Sequence, residues 1–259
     1  MPHSLRLDEA VAAHAGVTRS HARSLIMEGR VRVDGRPITK PGTGVRATSV
    51  LDVERARPYV SRGGEKLEAA LQAFGLDVTG ARALDVGAST GGFTDCLLAH
   101  GAAHVTALDV GYGQLAYPLR IDPRVRVIER CNFRLVADDA FAREFDVVTI
   151  DASFISMVTL LERALTFLKD DGDVVALIKP QFEAGRDRLG GGGVVRDPAV
   201  HRAIVAETVA AIRARGLAPV ALVRSPLRGP AGNVEFFVHV RRSGEPVDDA
   251  TIDRVTAPC

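Results

Sequence analysis

Of the 33 basic residues in this chain only four are lysines, at positions 40, 66, 169 and 179. A lysine amine can act as a base once its pKa falls well below its free value of about 10.4, whereas a guanidinium keeps its charge. Two of the four stand at positions where chemistry is plausible. Lys66 lies in Tyr59-Val-Ser-Arg-Gly-Gly-Glu-Lys-Leu67, and Lys179 closes an apolar run in Ala-Leu-Ile-Lys-Pro-Gln-Phe-Glu183. Two acids have comparable places: Asp151 closes Val-Val-Thr-Ile-Asp, and Glu235 opens the apolar run Glu-Phe-Phe-Val. Each alone has an ordinary reading, as an exposed helix lysine, a turn residue, a loop entry or a charge guarding an edge strand. A fifth feature is the loop Asp85-Val-Gly87-Ala88-Ser89-Thr-Gly91-Gly92-Phe93, followed by Asp109 24 residues after Asp85. Glycine lets a ligand approach the backbone closely, and an acid ending the next strand can hold both hydroxyls of a ribose. The spacing is not G-x-G-x-x-G, so a dinucleotide dehydrogenase or a plain glycine turn competes with other nucleotide readings.

The elements that must position these residues follow from periodicity. From residue 61 helical and strand patterns alternate. Helices are expected over Glu65–Phe74, Gly92–Ala99, Met157–Leu168 and Pro198–Arg215, the last with Asp197 as cap and Pro198 at its first position. Strands are expected over Ala83–Val86, His104–Asp109, Arg124–Ile128, Phe145–Asp151, Asp173–Ile178, Pro219–Arg224 and Asn233–Arg241. This alternation implies an α/β fold with a seven-stranded doubly wound sheet. Ligands of such sheets bind beyond the carboxyl ends of the strands, which is where Asp85, Asp109, Asp151 and Lys179 fall. Gly190–Gly193 reads equally as a mobile lid or as a passive connector, and 243–259 as a polar tail.

The first sixty residues differ in character. Asp8–Ala15 and Arg19–Glu28 read as short helices, with Thr18 or Ser20 as a cap for the second and Gly29 at its end. Arg30-Val-Arg-Val-Asp-Gly-Arg-Pro-Ile38 reads as a hairpin about Asp34-Gly35, Pro41–Gly44 as a turn and Val50–Glu54 as a strand. This stretch carries a net charge of +4, against −3 for the remainder. Arg6, Arg19, Arg23, Arg30, Arg32, Arg36 and Lys40 form a basic cluster suited to phosphate. The expected domains are therefore 1–56, a linker at 57–60 and a second domain over 61–242.

Composition narrows the classes. The longest run free of Asp, Glu, Lys and Arg is Cys96–Leu108, 13 residues, short of a membrane span. Acids stand early in the chain where a signal peptide has its apolar core. Cys96, Cys131 and Cys259 form no C-x-x-C pair and no metal-ligand cluster. The expectation is a cytoplasmic protein with no metal, no membrane association and no obligatory protein partner.

Several runs then match known families. Arg6-Leu-Asp8 and Ser24-Leu-Ile-Met-Glu-Gly-Arg-Val-Arg-Val-Asp-Gly35 resemble the S4-type RNA-binding domain. The loop D-x-G-x-S-x-G-G with an acid on the next strand resembles the S-adenosylmethionine (SAM) site of Rossmann-like methyltransferases. Lys66, Asp151, Lys179 and Glu235, in that order, resemble the tetrad of FtsJ/RrmJ-type RNA ribose 2′-O-methyltransferases. Over its length the chain resembles the TlyA/hemolysin A family of rRNA 2′-O-methyltransferases. The runs that carry this are Tyr59–Leu67, Gly87–Asp95, Asp109-Val-Gly-Tyr-Gly-Gln-Leu115, Ile178–Glu183 and Gly193-Val-Val. The linker Arg-Ala-Arg-Pro departs from it in lacking the aromatic residue of some relatives.

The resemblance implies SAM as cofactor and cytidine 2′-O-methylation in ribosomal RNA, with rRNA or a ribosomal subunit as partner. It implies that Lys179 is the base, Lys66 tunes it, and Asp151 and Glu235 orient the lysines and the hydroxyl; exchanging the two lysines' roles fits the residues equally. It also implies that Asp85, Gly87, Ala88, Ser89, Gly91, Gly92, Phe93, Asp109, Val110, Asn132 and Asp151 bind the cofactor, with Tyr112–Leu115 bordering it. The competing classes are an RNA-binding assembly factor with little or no methyl transfer and a membrane-active hemolysin. The second finds no span, export signal or long basic amphipathic helix in this sequence.

Overall fold

The computed structural model describes residues 4–27, 29–53, 58–153, 155–184, 193–229 and 231–258. Its contacts fall into two units, Met1–Arg57 and Pro58–Cys259. The first runs β1 (Ser4–Arg6), α1 (Leu7–Ala15), α2 (Arg19–Met27), β2 (Val31–Val33), β3 (Arg36–Pro37), β4 (Gly44–Arg46) and β5 (Leu51–Val53). Asp34 (φ 50°) and Gly35 (φ 78°) turn the β2–β3 hairpin, as a tight turn with two left-handed residues requires. Leu7, Val11, Leu25, Ile26, Val31 and Val45 close a small core. The pairing of β1 with β4 was not expected, because three-residue strands carry too few positions to show alternation.

The second unit runs α3 (Arg62–Phe74), β6 (Arg82–Val86), α4 (Gly92–Ala99), β7 (His104–Leu108), α5 (Tyr117–Arg120), β8 (Val125–Ile128), β9 (Phe145–Ile150), α6 (Met157–Phe167), β10 (Leu168–Ile178), α7 (Pro180–Glu183), α8 (Pro198–Arg213), β11 (Ala218–Arg224), β12 (Phe236–Arg241) and α9 (Asp249–Thr256). Its seven strands lie in the order β11-β12-β10-β9-β6-β7-β8. β12 is antiparallel to both of its neighbours, while the pairs from β10 to β8 are parallel.

Alternation along the strands makes two apolar layers. Leu84, Val86, Val148, Ile150, Val174, Ala176 and Ile178 face Leu161, Ala164, Val205 and Val209 of α6 and α8. Ala83, Val147, Val175 and Leu177 face Leu67, Leu71, Phe93 and Leu97 of α3 and α4. Asp197 closes α8 as the sequence indicates, accepting from Ala199 N at 2.8 Å, and Ser61 caps α3, which starts three residues before its expected first residue.

Two readings change, and a third lies mostly outside the described residues. The polar tail contains α9, capped by Asp248 and packed through buried Ile252 into the α8 layer; its apolar positions are too few to show a stripe. Tyr59, read as linker, is buried in the core of the second unit. Glu28, Arg57 and Gly190–Gly192 lie outside the described residues, so the lid reading has only Gly193 within them.

Candidate active site

The carboxyl ends of β6, β7 and β9 surround a cleft of about 350 Å³. Gly87, Ser89, Asp109, Val110, Asn132 and Asp151, all expected to touch a cofactor, line it. Asp109 leaves β7 and organises the loop opposite: its two carboxylate oxygens accept from Ser89 N at 2.8 Å and Gly111 N at 2.6 Å. Those bonds hold Ser89 in its left-handed φ of 49°, a conformation non-glycine residues seldom adopt. A carboxylate has about four acceptor sites, so Asp109 retains capacity toward the cleft. Gly87 has φ 87°, and a Cβ there would stand 2.8 Å from the Asp151 carbonyl oxygen. Only glycine therefore lets β6 end against β9 at this point. Gln114, Cys131, Phe133, Ser153, Ile155 and Leu160 also line the cleft; among them Gln114 lies in the Tyr112–Leu115 run.

Three of the remaining expected cofactor residues, Asp85, Gly92 and Phe93, are engaged in packing. Asp85 is fully buried and accepts from Thr94 Oγ1 at 2.7 Å and Thr149 Oγ1 at 3.1 Å. It points to the α4 face, as alternation from Leu84 and Val86 dictates, and so binds α4 and β9 to β6. Burial pushes its carboxyl up to about 7, against the pull of the two hydroxyls. Ala88, Gly91, Gly92 and Phe93 do not line the main cleft either. A Cβ on Gly92 would lie 2.3 Å from Ser61 Oγ and 2.8 Å from Gly64 N, so this glycine allows α4 to start against α3. Phe93 is 3% exposed and packs 5.9 Å from the Phe237 ring.

The four residues Lys66, Asp151, Lys179 and Glu235 form two ion pairs. Lys66 Nζ donates to Glu235 Oε2 at 2.6 Å, with side chains 8% and 1% exposed. Lys179 Nζ lies 2.6 Å from Asp151 Oδ1, with side chains 11% and 23% exposed. That second contact is close but poorly aligned, and Oδ1 has no hydrogen bond. Lys179 Nζ donates instead to Ser153 Oγ at 3.2 Å. Helix α3 brings Lys66 to the edge on the buried stripe of Leu67, Ala70 and Leu71. Lys179 follows β10 directly, and Asp151 follows β9, its amide bonded to the Val86 carbonyl. Glu235 precedes β12, so its antiparallel direction puts it at the same edge as Asp151 and Lys179.

In the first unit Arg6, on β1, and Arg19, on α2, both hydrogen-bond Asp8, and Arg19 also pairs with Glu9. Asp8 is buried, and the guanidinium of Arg6, with that of Arg19, lowers its carboxyl to about 2. Arg19 therefore ties α2 to α1, and Arg6 ties β1 to α1, as well as carrying charge. Arg23, Arg32, Arg36 and Lys40 are exposed along α2, the hairpin and the following turn, and Arg30 is half-buried.

Residues 59–242 match the family of FtsJ-like methyltransferases. The chain belongs to that family. Residues 5–51 match the S4 domain. The chain is 47% identical over 93% of its length to the 16S/23S rRNA (cytidine-2′-O)-methyltransferase TlyA of Mycobacterium tuberculosis, covering 91% of that protein. It is 41% identical over 91% of its length to Hemolysin A of Brachyspira hyodysenteriae, covering 99% of it. A solved structure of a candidate hemolysin from Streptococcus thermophilus superposes with a TM-score of 0.75 at 38% identity, covering 99% of this chain and 96% of that one. The fold alone is shared with Aeropyrum pernix fibrillarin, solved with bound SAM, at 16% identity and a TM-score of 0.50, over 69% of this chain and 76% of that one. Among the described residues no helix is long and apolar enough to cross a membrane, and no group of three or more His, Cys, Asp or Glu could hold a metal ion.

Proposed function

We propose that this methyltransferase transfers a methyl group from SAM to the 2′-oxygen of a cytidine ribose in 16S or 23S rRNA, in the cytoplasm. The observation that carries the reading is the Lys179–Asp151 pair standing at the wall of the cleft that holds Asp109. The resemblance to a relative that acts on cytidine in both rRNAs supports the substrate.

The cleft residues suit the cofactor. Asp109 would hold its ribose hydroxyls, Asn132 would contact the adenosine, and Ile155 and Leu160 would flank the base. The bare backbone of Gly87 and the unbonded Asp151 oxygen would receive the amino-acid end. SAM, when bound, supplies a methyl group activated by its sulfonium. Lys179, in its amine form, would accept the ribose proton on Nζ as the oxygen attacks. A positioned base of this type contributes roughly 10²–10⁴-fold. Asp151 steadies the resulting ammonium, and Ser153 fixes the direction of Nζ. Lys66 and Glu235 form the neighbouring pair that shapes the place of the ribose. The first unit, through Arg23, Arg32, Arg36 and Lys40, docks on rRNA or a ribosomal subunit by phosphate contacts.

The test is transfer of labelled methyl from SAM to 16S and 23S rRNA, offered as RNA and as subunits, followed by mapping of the modified nucleotide. The proposal expects a 2′-O-methylcytidine; binding of RNA with no transfer to any form would overturn it.

A further inference from the structure

We infer that a second cavity, between the start of α8 and the β11–β12 loop, holds a backbone phosphate of the RNA strand whose ribose is methylated. This rests on the proposed function and adds a subsite to it. The cavity measures about 470 Å³, larger than the cofactor cleft, and its walls include Arg196, Arg224 and Arg228. No carboxylate is among its described lining residues.

Topology places it on the substrate edge. β10 and β11 are both antiparallel to β12, so they run parallel, and Arg224 at the end of β11 emerges on the same edge as Lys179. The chain leaves β10 at that edge and enters α8 beside it. From β9 to β11 the sheet steps three strands, roughly 14 Å at the usual spacing, a distance that a few nucleotides of a single strand can bridge.

The loop between the two sites faces both. Ser225 N donates to Glu235 O and Gly229 N to Asn233 O, each at 2.9 Å. A Cβ on Gly229 would stand 2.4 Å from Glu235 Oε1, so the residue after Arg228 packs directly on Glu235. Asn233 ties the loop to the segment before α8, accepting from Val195 N at 2.9 Å and donating to Gly193 O at 3.2 Å. The arginines are thus carried on braced backbone rather than on an open loop. Arg224 is further anchored, donating to Val255 O at 3.0 Å and to Ala257 O.

The field in the cavity is positive. His201, 4% exposed, bonds the Val195 carbonyl through Nε2 at 3.0 Å. Burial first, then the neighbouring charges of Arg224 and Arg228, push its pKa down, against Val195 O and Asp197. Asp197, the acid next to Arg196, is engaged as the cap of α8. Three guanidinium groups line the cavity, and its one ring among the described lining residues, His201, is buried and packed edge-on against Phe236; planar forks match phosphate oxygens, whereas bases need open stacking partners. Phosphate contacts fix register along a nucleic acid without reading sequence.

The experiment uses the full chain and its rRNA substrate, with Arg228→Ala, Arg196→Ala, their double variant and Arg228→Lys. Single-turnover methylation and RNA binding are measured across salt concentration. The expected result for the double variant is RNA affinity lowered on the order of tenfold and a log–log salt slope reduced by about one. SAM affinity and the rate at saturating RNA stay at parent values, and Arg228→Lys recovers part of the affinity. Unchanged affinity and slope in the double variant, with the parent methylating rRNA, would overturn this inference alone. A parent that methylates no rRNA would overturn the proposed function instead. Tight binding of inorganic phosphate by the parent, lost in the double variant while RNA affinity stays unchanged, would assign the cavity to a free anion and also overturn the inference.

Discussion

Two lysine–carboxylate pairs occupy the same edge of the sheet with the same 2.6 Å separation, and they differ in what surrounds them. Lys66 and Glu235 are sealed, at 8% and 1% exposure, with Gly229 packed on the carboxylate. Lys179 and Asp151 stand partly open, at 11% and 23%, and Asp151 lines the cofactor cleft. Under the proposed function we assign the sealed pair the part of a frame and the more open pair, at the wall of the cleft, that of a reactive end.

The largest effect expected is at the reactive end. Asp151→Asn should lower methyl transfer about 10²–10⁴-fold, and it should weaken cofactor binding as well, since this residue serves both pair and cleft. Isothermal titration with S-adenosylhomocysteine and single-turnover rates would read the two losses; a variant impaired in neither would merge the two pairs into one class.

The frame answers to stability. Lys66→Ala leaves Glu235 buried and unpaired, which should cost about 3–5 kcal/mol in denaturant unfolding. Lys66→Met combined with Glu235→Leu should recover most of that, because a sealed ion pair is replaceable by apolar groups of similar volume. If Lys66→Ala left the unfolding midpoint unmoved, the sealed character of this pair would be wrong.

A comparable contrast is set by two carboxyls outside the pairs. Asp85, raised to about 7 by burial, binds its proton more tightly folded than unfolded. Its contribution is intact below about pH 4 and is lost as pH rises to about 7, by roughly 3–4 kcal/mol. Asp85→Asn should flatten that part of the stability–pH curve of the catalytic unit. Asp8, lowered to about 2 by Arg6 and Arg19, has the opposite sign. Its support is present above about pH 4 and disappears as pH falls to about 2, and Asp8→Asn should remove that dependence from the first unit. The same slope in both variants as in the parent would show that neither carboxyl carries the effect.

Much of this was legible in the sequence, for identifiable reasons. Gly92–Ala99 was bounded correctly because glycines and strands punctuate it on both sides, and the start of α8 because Asp197-Pro198 is a strong start signal. The tetrad's positions were readable because each residue sits at the end of an apolar run or, for Lys66, one position before Leu67 and four before Ala70 on a buried helix stripe. Its division into two pairs was not, since sequence holds no information on which lysine meets which acid. The burial of Asp85 against α4 was not legible, because an acid opening a glycine loop looks the same whichever way it points. Counting alternate positions from Leu84 and Val86 would have turned it toward α4. The β1–β4 pair and α9 escaped because they are too short or too sparsely apolar for a period to emerge. The cavity arginines were hidden among 26 others, and only folding brings residues 196, 224 and 228 to one wall.

The division into frame and reactive end is tested most directly by single-turnover methyl transfer to rRNA, at saturating SAM, in Lys179→Ala. The account predicts a rate at least about 10²-fold below the parent, with unfolding midpoint and cofactor affinity unchanged. Transfer at the parent rate by the folded variant would contradict it.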